Sequence, residues 1–133
     1  MSSHEADSSH ELELAGVTIT ITSREDADVV SLAGDFDVFS ESSVRRVVGD
    51  PRRVTRSQVV LDLSRATFLD SSMLKELLRA NAELDRYDTK LVLAGITPAV
   101  QRVLHLTRTT ALFAIAEDAE AALALASADG AEA

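Results

Sequence analysis

The stretch Val59-Val60-Leu61-Asp62-Leu63-Ser64-Arg65-Ala66-Thr67-Phe68-Leu69-Asp70-Ser71-Ser72-Met73-Leu74 decides how this 133-residue chain is read. Its first part is a short apolar, β-branched run, the pattern of a buried strand, which the sequence places over 58–63. A brief connection follows, and Asp70-Ser71-Ser72 then stands directly before a long amphipathic repeat. Asp and Ser are the residues that cap a helix start, because their oxygens accept the orphan N–H groups of the first turn. The spacing therefore predicts strand, turn and helix, with two hydroxyls and a carboxylate at the helix start. A hydroxyl there sits at the positive end of the helix dipole, a position that suits an added phosphate. From the residues alone, a plain cap and a phosphate-accepting turn both remain open.

Working outward, Met73, Leu74, Leu77, Leu78, Ala80, Asn81 and Leu84 trace one helical face. Lys75, Glu76, Arg79, Glu83 and Arg86 trace the other, which reads as solvated, and the helix is expected to end near Tyr87-Asp88. On the N-terminal side, residues 1–11 are polar and acidic and read as a disordered tail, with His4 and His10 in it. Leu12-Glu13-Leu14 and Val17 to Ile21 alternate apolar with polar around Ala15-Gly16, as one strand or a short hairpin. Val29 to Ala33 reads as a further strand closed by Gly34, and Ser40 as the cap of a helix carrying Val44, Val47 and Val48. Pro51 ends that helix or starts an extension through Arg52, Arg53 and Arg56. Downstream, Lys90 to Ala94 reads as a strand, and Thr97-Pro98 as a helix start with Pro at the first position. Leu112 to Ile115 reads as a last strand, 117–128 as an alanine-rich helix, and 128–133 as a frayed end. Strands alternating with helices predict an α/β domain over 12–127 with a mixed, mostly parallel sheet of about four or five strands and about four helices.

Composition narrows the function. Hydrophobic residues make up 46% of the chain, enough for a core, and no apolar run reaches the ~20 residues of a membrane span. A net charge of −9 disfavours nucleic acid and anionic membrane as partners. There is no cysteine and no basic-then-apolar leader pattern, so the expectation is a cytoplasmic protein without disulfides. No Gly-x-Ser-x-Gly elbow surrounds a serine, and His105 is the only histidine outside the tail, which argues against a serine hydrolase. Gly-x-Gly-x-x-Gly and Gly-Lys-Ser/Thr loops are missing, so no nucleotide cofactor is implied. A receiver domain needs a lysine after a late strand, and none follows Lys90. Asp35, Asp37 and Asp70 offer oxygen ligands for a cation, but turn-forming and capping roles explain them as well.

Three separated motifs carry a resemblance. Gly34-Asp35-Phe36-Asp37 resembles the Gly-Glu-apolar-Asp segment of bacterial STAS domains, and Phe68-Leu69-Asp70-Ser71-Ser72 their Asp-Ser phosphorylation segment. Gly95-Ile96-Thr97-Pro98 through Leu104 resembles their third-helix entry, and the likeness runs from about Leu12 to Leu125. The Asp-Ser-Ser sequence is similar to the anti-sigma factor antagonist subgroup. That resemblance implies a non-enzymatic binding module without cofactor or metal, a monomer or weak dimer. Its implied partners are an anti-sigma factor with serine kinase activity and a resetting phosphatase. It implies phosphorylation at Ser71, with Asp37, Asp70, Ser72 and Asp35 forming its surroundings. Two other roles known for STAS domains are a scaffold of a stress-signalling assembly and a subunit of a lipid or small-ligand transport system. The family usually has glycine where this chain has Met73, and often a second small residue shortly after, where this chain has Lys75 and Glu76. A side chain at 73 is expected to crowd a kinase at Ser71, and Met73→Gly to cost little stability.

Overall fold

The structure is a computed structural model and describes residues 8–14, 17–24, 27–37, 41–48 and 58–124. Among the described residues, six strands form one sheet in sequence order: β1 (Ser8–Leu14), β2 (Val17–Ser23), β3 (Asp28–Phe36), β4 (Gln58–Leu69), β5 (Lys90–Ala94) and β6 (Ala114–Ala116). The pairs β1–β2 and β2–β3 are antiparallel, whereas β3–β4, β4–β5 and β5–β6 are parallel. Each parallel step needs a crossover. Helices α1 (Glu41–Val48), α2 (Ser71–Asp85) and α3 (Pro98–Leu106) lie in the three crossovers.

Side-chain alternation along β4 builds two cores. Val59, Leu61 and Leu63 join Val44, Val48, Met73, Leu77, Leu84, Val100 and Leu104 in the larger core, on the face covered by the three helices. Val60, with Val92, Ala94, Ala116 and Ala122, forms a smaller core on the opposite face, beneath the helical residues 119–124. Asp118 stands just before those helical residues, and its carboxylate accepts from the Ala121 N–H at 2.8 Å.

The α/β class and the mostly parallel sheet agree with the sequence. Of the two readings open for the first alternating stretch, the hairpin is the one that forms, and with it the sheet has six strands among the described residues. β1 begins at Ser8, so the reading of 1–11 as a tail is corrected for 8–11, which pair with β2 from Ser8↔Ser23 onward. Polar side chains hid this strand, because an outer strand is held by backbone pairing and needs no apolar signal. β3 and β4 both run longer than expected. The expected connection after Leu63 is strand, paired with β3 through Ala33↔Arg65, Gly34↔Ala66, Asp35↔Phe68 and Phe36↔Leu69, with register shifts on the way. Such bulges blur the two-residue period that a sequence reader relies on. The expected strand at Leu112 is a 3₁₀ turn over Thr110–Leu112, with β6 starting at Ala114. Helix α2 ends at Asp85, with Arg86 as its C-cap, slightly before Tyr87-Asp88. Ser40, Pro51, Arg52, Arg53 and Arg56 lie outside the described residues.

Candidate functional site

The long β4 positions the site. β5 pairs with it only as far as Asp62↔Ala94, and beyond that point β4 continues against β3 alone. Both strands finish together, and the Asp70 N–H donates to the Phe36 carbonyl at 3.2 Å. That bond holds the end of β3, and Asp37 just after it, beside the start of α2.

Asp70 is the N-cap of α2, in extended conformation at φ −91°, and its Oδ1 accepts from the Met73 N–H at 3.0 Å. The same oxygen accepts from the Ser72 hydroxyl at 2.8 Å. Ser72 is half-buried and engaged. Ser71 is exposed, and among the described residues no hydrogen bond engages its hydroxyl. The first turn of α2 holds no acidic residue, so within the helix start itself Asp70 is the carboxylate that offsets the positive dipole end. The two adjacent serines therefore differ: one hydroxyl supports the cap and the other faces solvent.

Asp35 is exposed near the end of β3, and its carboxylate accepts from the Thr67 hydroxyl on β4. Asp37 is half-buried just past β3. The three aspartates thus come to one end of the sheet, and no metal-binding group of His, Asp and Glu exists among the described residues. Phe68, 49% exposed, lies at the same end. It borders a shallow apolar groove with Leu69, Pro98, Ala99, Arg102 and Val103.

One expected site residue is elsewhere. Met73 is fully buried in the larger core. Its side chain points away from the surface that Ser71 offers, so the expected crowding of a partner by Met73 is corrected. A residue two positions after an exposed helix residue lies on another side of the helix.

Sequence reading also missed Glu76, which was assigned to the solvated face. Glu76 is 2% exposed. Its Oε1 accepts from Arg45 Nε on α1 at 3.0 Å, and its Oε2 accepts from Arg79 Nη2 at 2.6 Å and Nε at 3.1 Å. The hydrogen bonds that Arg79 donates to Glu76, together with the charge of that carboxylate, hold the Arg79 guanidinium above the usual arginine pKa. The Arg79 partner was legible at i,i+3 spacing. Arg45 lies 31 residues away, and no local signal announces it.

A family model for the STAS domain matches residues 18–122. The chain belongs to the STAS domain family. Among proteins of known structure, this STAS chain is similar to an anti-sigma factor antagonist from Mycobacterium paratuberculosis. Their identity is 27% and the TM-score 0.71, over 86% of this chain and 98% of the other. It also resembles the anti-sigma factor antagonist SpoIIAA in its unphosphorylated form, at 17% identity and a TM-score of 0.62, over 86% of this chain and 92% of the other. The Bacillus cell fate determinant SpoIIAA in the phosphorylated form matches at 16% identity and a TM-score of 0.59, over 89% and 99% of the two chains. Among the described residues no helix is long and apolar enough to cross a membrane.

Proposed function

We propose that this STAS domain is an anti-sigma factor antagonist, a binding module without chemistry of its own. Unphosphorylated, it binds an anti-sigma factor through the end of the sheet around Ser71, and sigma factor is released. A serine kinase, the anti-sigma factor itself, phosphorylates Ser71 and ends the complex, and a phosphatase resets it. The observation that carries this reading is the pair of unlike serines at the start of α2, with Ser72 bound to Asp70 and Ser71 exposed. The likeness over 98% of an anti-sigma factor antagonist supports the partner class.

The physics of the switch is simple. Phosphorylation adds about −1.5 to −2 charges at pH 7. The helix dipole offsets roughly 0.3–1 kcal/mol of that within the domain, so the fold tolerates the group. This chain resembles SpoIIAA structures both in the unphosphorylated and in the phosphorylated form, with TM-scores of 0.62 and 0.59. A partner packed over the same end must instead desolvate the phosphate beside Asp37 and Asp70. A penalty of ~3–4 kcal/mol weakens binding several-hundred-fold, since ~1.4 kcal/mol is tenfold.

The test is co-purification of the full chain with the anti-sigma factors of its own genome, each loaded with its sigma factor. One of them is expected to exchange sigma factor for this protein in the absence of ATP. Displacement by none of them would contradict the reading. Capture of a membrane transporter component or of a large assembly of STAS scaffolds would favour one of the other STAS roles.

A further inference from the structure

Helix α3 turns Val100 and Leu104 into the larger core and leaves its other side to solvent. Pro98, Gln101, Arg102 and His105 are exposed at spacings of three and four, so they share one strip of that side. Ala99, Val103 and Leu106 follow the adjacent strip. A groove borders each strip. One, described above, lies between Ala99, Val103 and Phe68. The other, of 660 Å³, has Ile96, Pro98 and Ile115 as apolar lining and Gln101, Arg102 and His105 on the helix side. Arg102 lines both, so it stands on the ridge between them. Five large apolar side chains are exposed among the described residues. Leu106, Leu112 and Ile115 fall between the start of α3 and the end of β6, and Phe68 borders α3. Residues 91–116 include no Asp or Glu, and among the described residues no carboxylate lines either groove. Arg102 makes no hydrogen bond or ion pair among the described residues. Past β6, Glu117 is exposed and Asp118 accepts from the Ala121 N–H; on β4, Asp62 accepts from the Ser64 N–H.

We propose that the outward side of α3 is a docking surface for a protein segment in which a carboxylate stands between two large apolar side chains. The apolar side chains enter the two grooves, and the carboxylate meets Arg102 on the ridge. Neither Ser71 nor its phosphorylation enters this inference, so it stands apart from the function proposed above. Clustered exposed apolar side chains mark interaction sites, and aromatic residues and arginine are enriched at the centres of protein interfaces. An unpaired guanidinium keeps its donors for a carboxylate, which it binds in a two-pronged geometry. One such group in an apolar setting suffices, because covering the pair with apolar side chains lowers the local dielectric and strengthens the attraction. The surface as a whole need not be positive. The larger groove decides between a small anion and a segment. Its 660 Å³ holds about twenty waters at ~30 Å³ each, far more than a bare carboxylate displaces. The net charge of −9 repels extended polyanions such as nucleic acid or an anionic membrane, whereas a short segment meets Arg102 locally.

The experiment titrates isotope-labelled full-length protein with a short synthetic peptide in which glutamates separate leucine from phenylalanine, read by amide chemical shifts. Shifts are expected along α3, at Ile96 and Phe68, and at Ile115. Arg102→Glu, an exposed change, is expected to weaken the peptide about fivefold or more, with thermal unfolding as the check that the fold persists. Replacing the peptide's glutamates by glutamine is expected to weaken binding to wild type by a similar factor, a comparison that needs no variant of the protein. Absent shifts, shifts confined to other surfaces, or indifference to either change would overturn the proposal. Acetate that gives the same shifts at the peptide's concentration would overturn it by assigning the grooves to a small anion. Tighter binding of phosphatidylglycerol vesicles or of a short DNA duplex than of the peptide would overturn it as well, by assigning the surface to a polyanion.

Discussion

At the scale of single residues, three consecutive positions have three different tasks. Asp70 caps the helix, Ser71 faces solvent, and Ser72 steadies Asp70. Ser71→Ala is expected to abolish phosphate transfer by the cognate kinase, and Ser72→Ala to leave the phosphopeptide spanning Ser71 in place, as mass spectrometry of the two variants checks. Phosphate found on Ser72 in the wild type would refute this division of roles. Met73 follows, and its side chain belongs to the core. Met73→Gly therefore removes a packed side chain and places glycine in a helix. Truncating a buried methionine to alanine costs ~2–5 kcal/mol, and glycine adds up to ~1 kcal/mol over alanine. The expected fall in Tm is about 10 °C or more, well beyond the small loss that a surface position predicts. A fall of only a few degrees would mean that the side chain is not the core element described above.

At the scale of elements, the α2 start depends on its cap. Asp70→Ala is expected to cost about 1 kcal/mol and Asp70→Asn much less, since the amide oxygen still accepts the Met73 N–H. Denaturant titration of the two variants separates capping from charge. Equal losses would show that the charge, and not the hydrogen bond, is what α2 needs. The elements also show where the sequence could be read. Helix α2 was legible because its apolar positions recur at helical spacing, and Thr97-Pro98 announced α3, where Thr97 does accept from the Val100 N–H at 3.3 Å. The Asp-Ser-Ser segment was legible as a helix start for the same local reason. What escaped reading was set by contacts distant in sequence. The second half of β4 exists because β3 pairs with it through shifted registers, and β1 because β2 turns back on it. Glu76 is buried because Arg45 arrives from another helix. The side of α2 that holds Met73 was legible in its periodicity. The family's glycine at that position drew attention instead to the neighbouring serine.

At the scale of the whole molecule, the long β3 and β4 carry one end of the sheet outward, and that end collects Asp35, Asp37, Asp70 and Ser71. The core lies behind it, so a change of charge at Ser71 alters the surface and leaves packing intact. Stoichiometric phosphorylation is therefore expected to move Tm by no more than about 3 °C, because the phosphate meets a favourable helix end worth less than ~1 kcal/mol. A large destabilisation would mean that phosphate acts by unfolding the domain rather than by repelling a partner. The most direct test of the account is calorimetric titration of the cognate anti-sigma factor with three forms of this protein: wild type, Ser71→Ala, and wild type fully phosphorylated at Ser71. The account predicts that the first two bind equally and that the phosphorylated form binds at least a hundredfold more weakly, with its fold unchanged. Equal affinity of all three would contradict it.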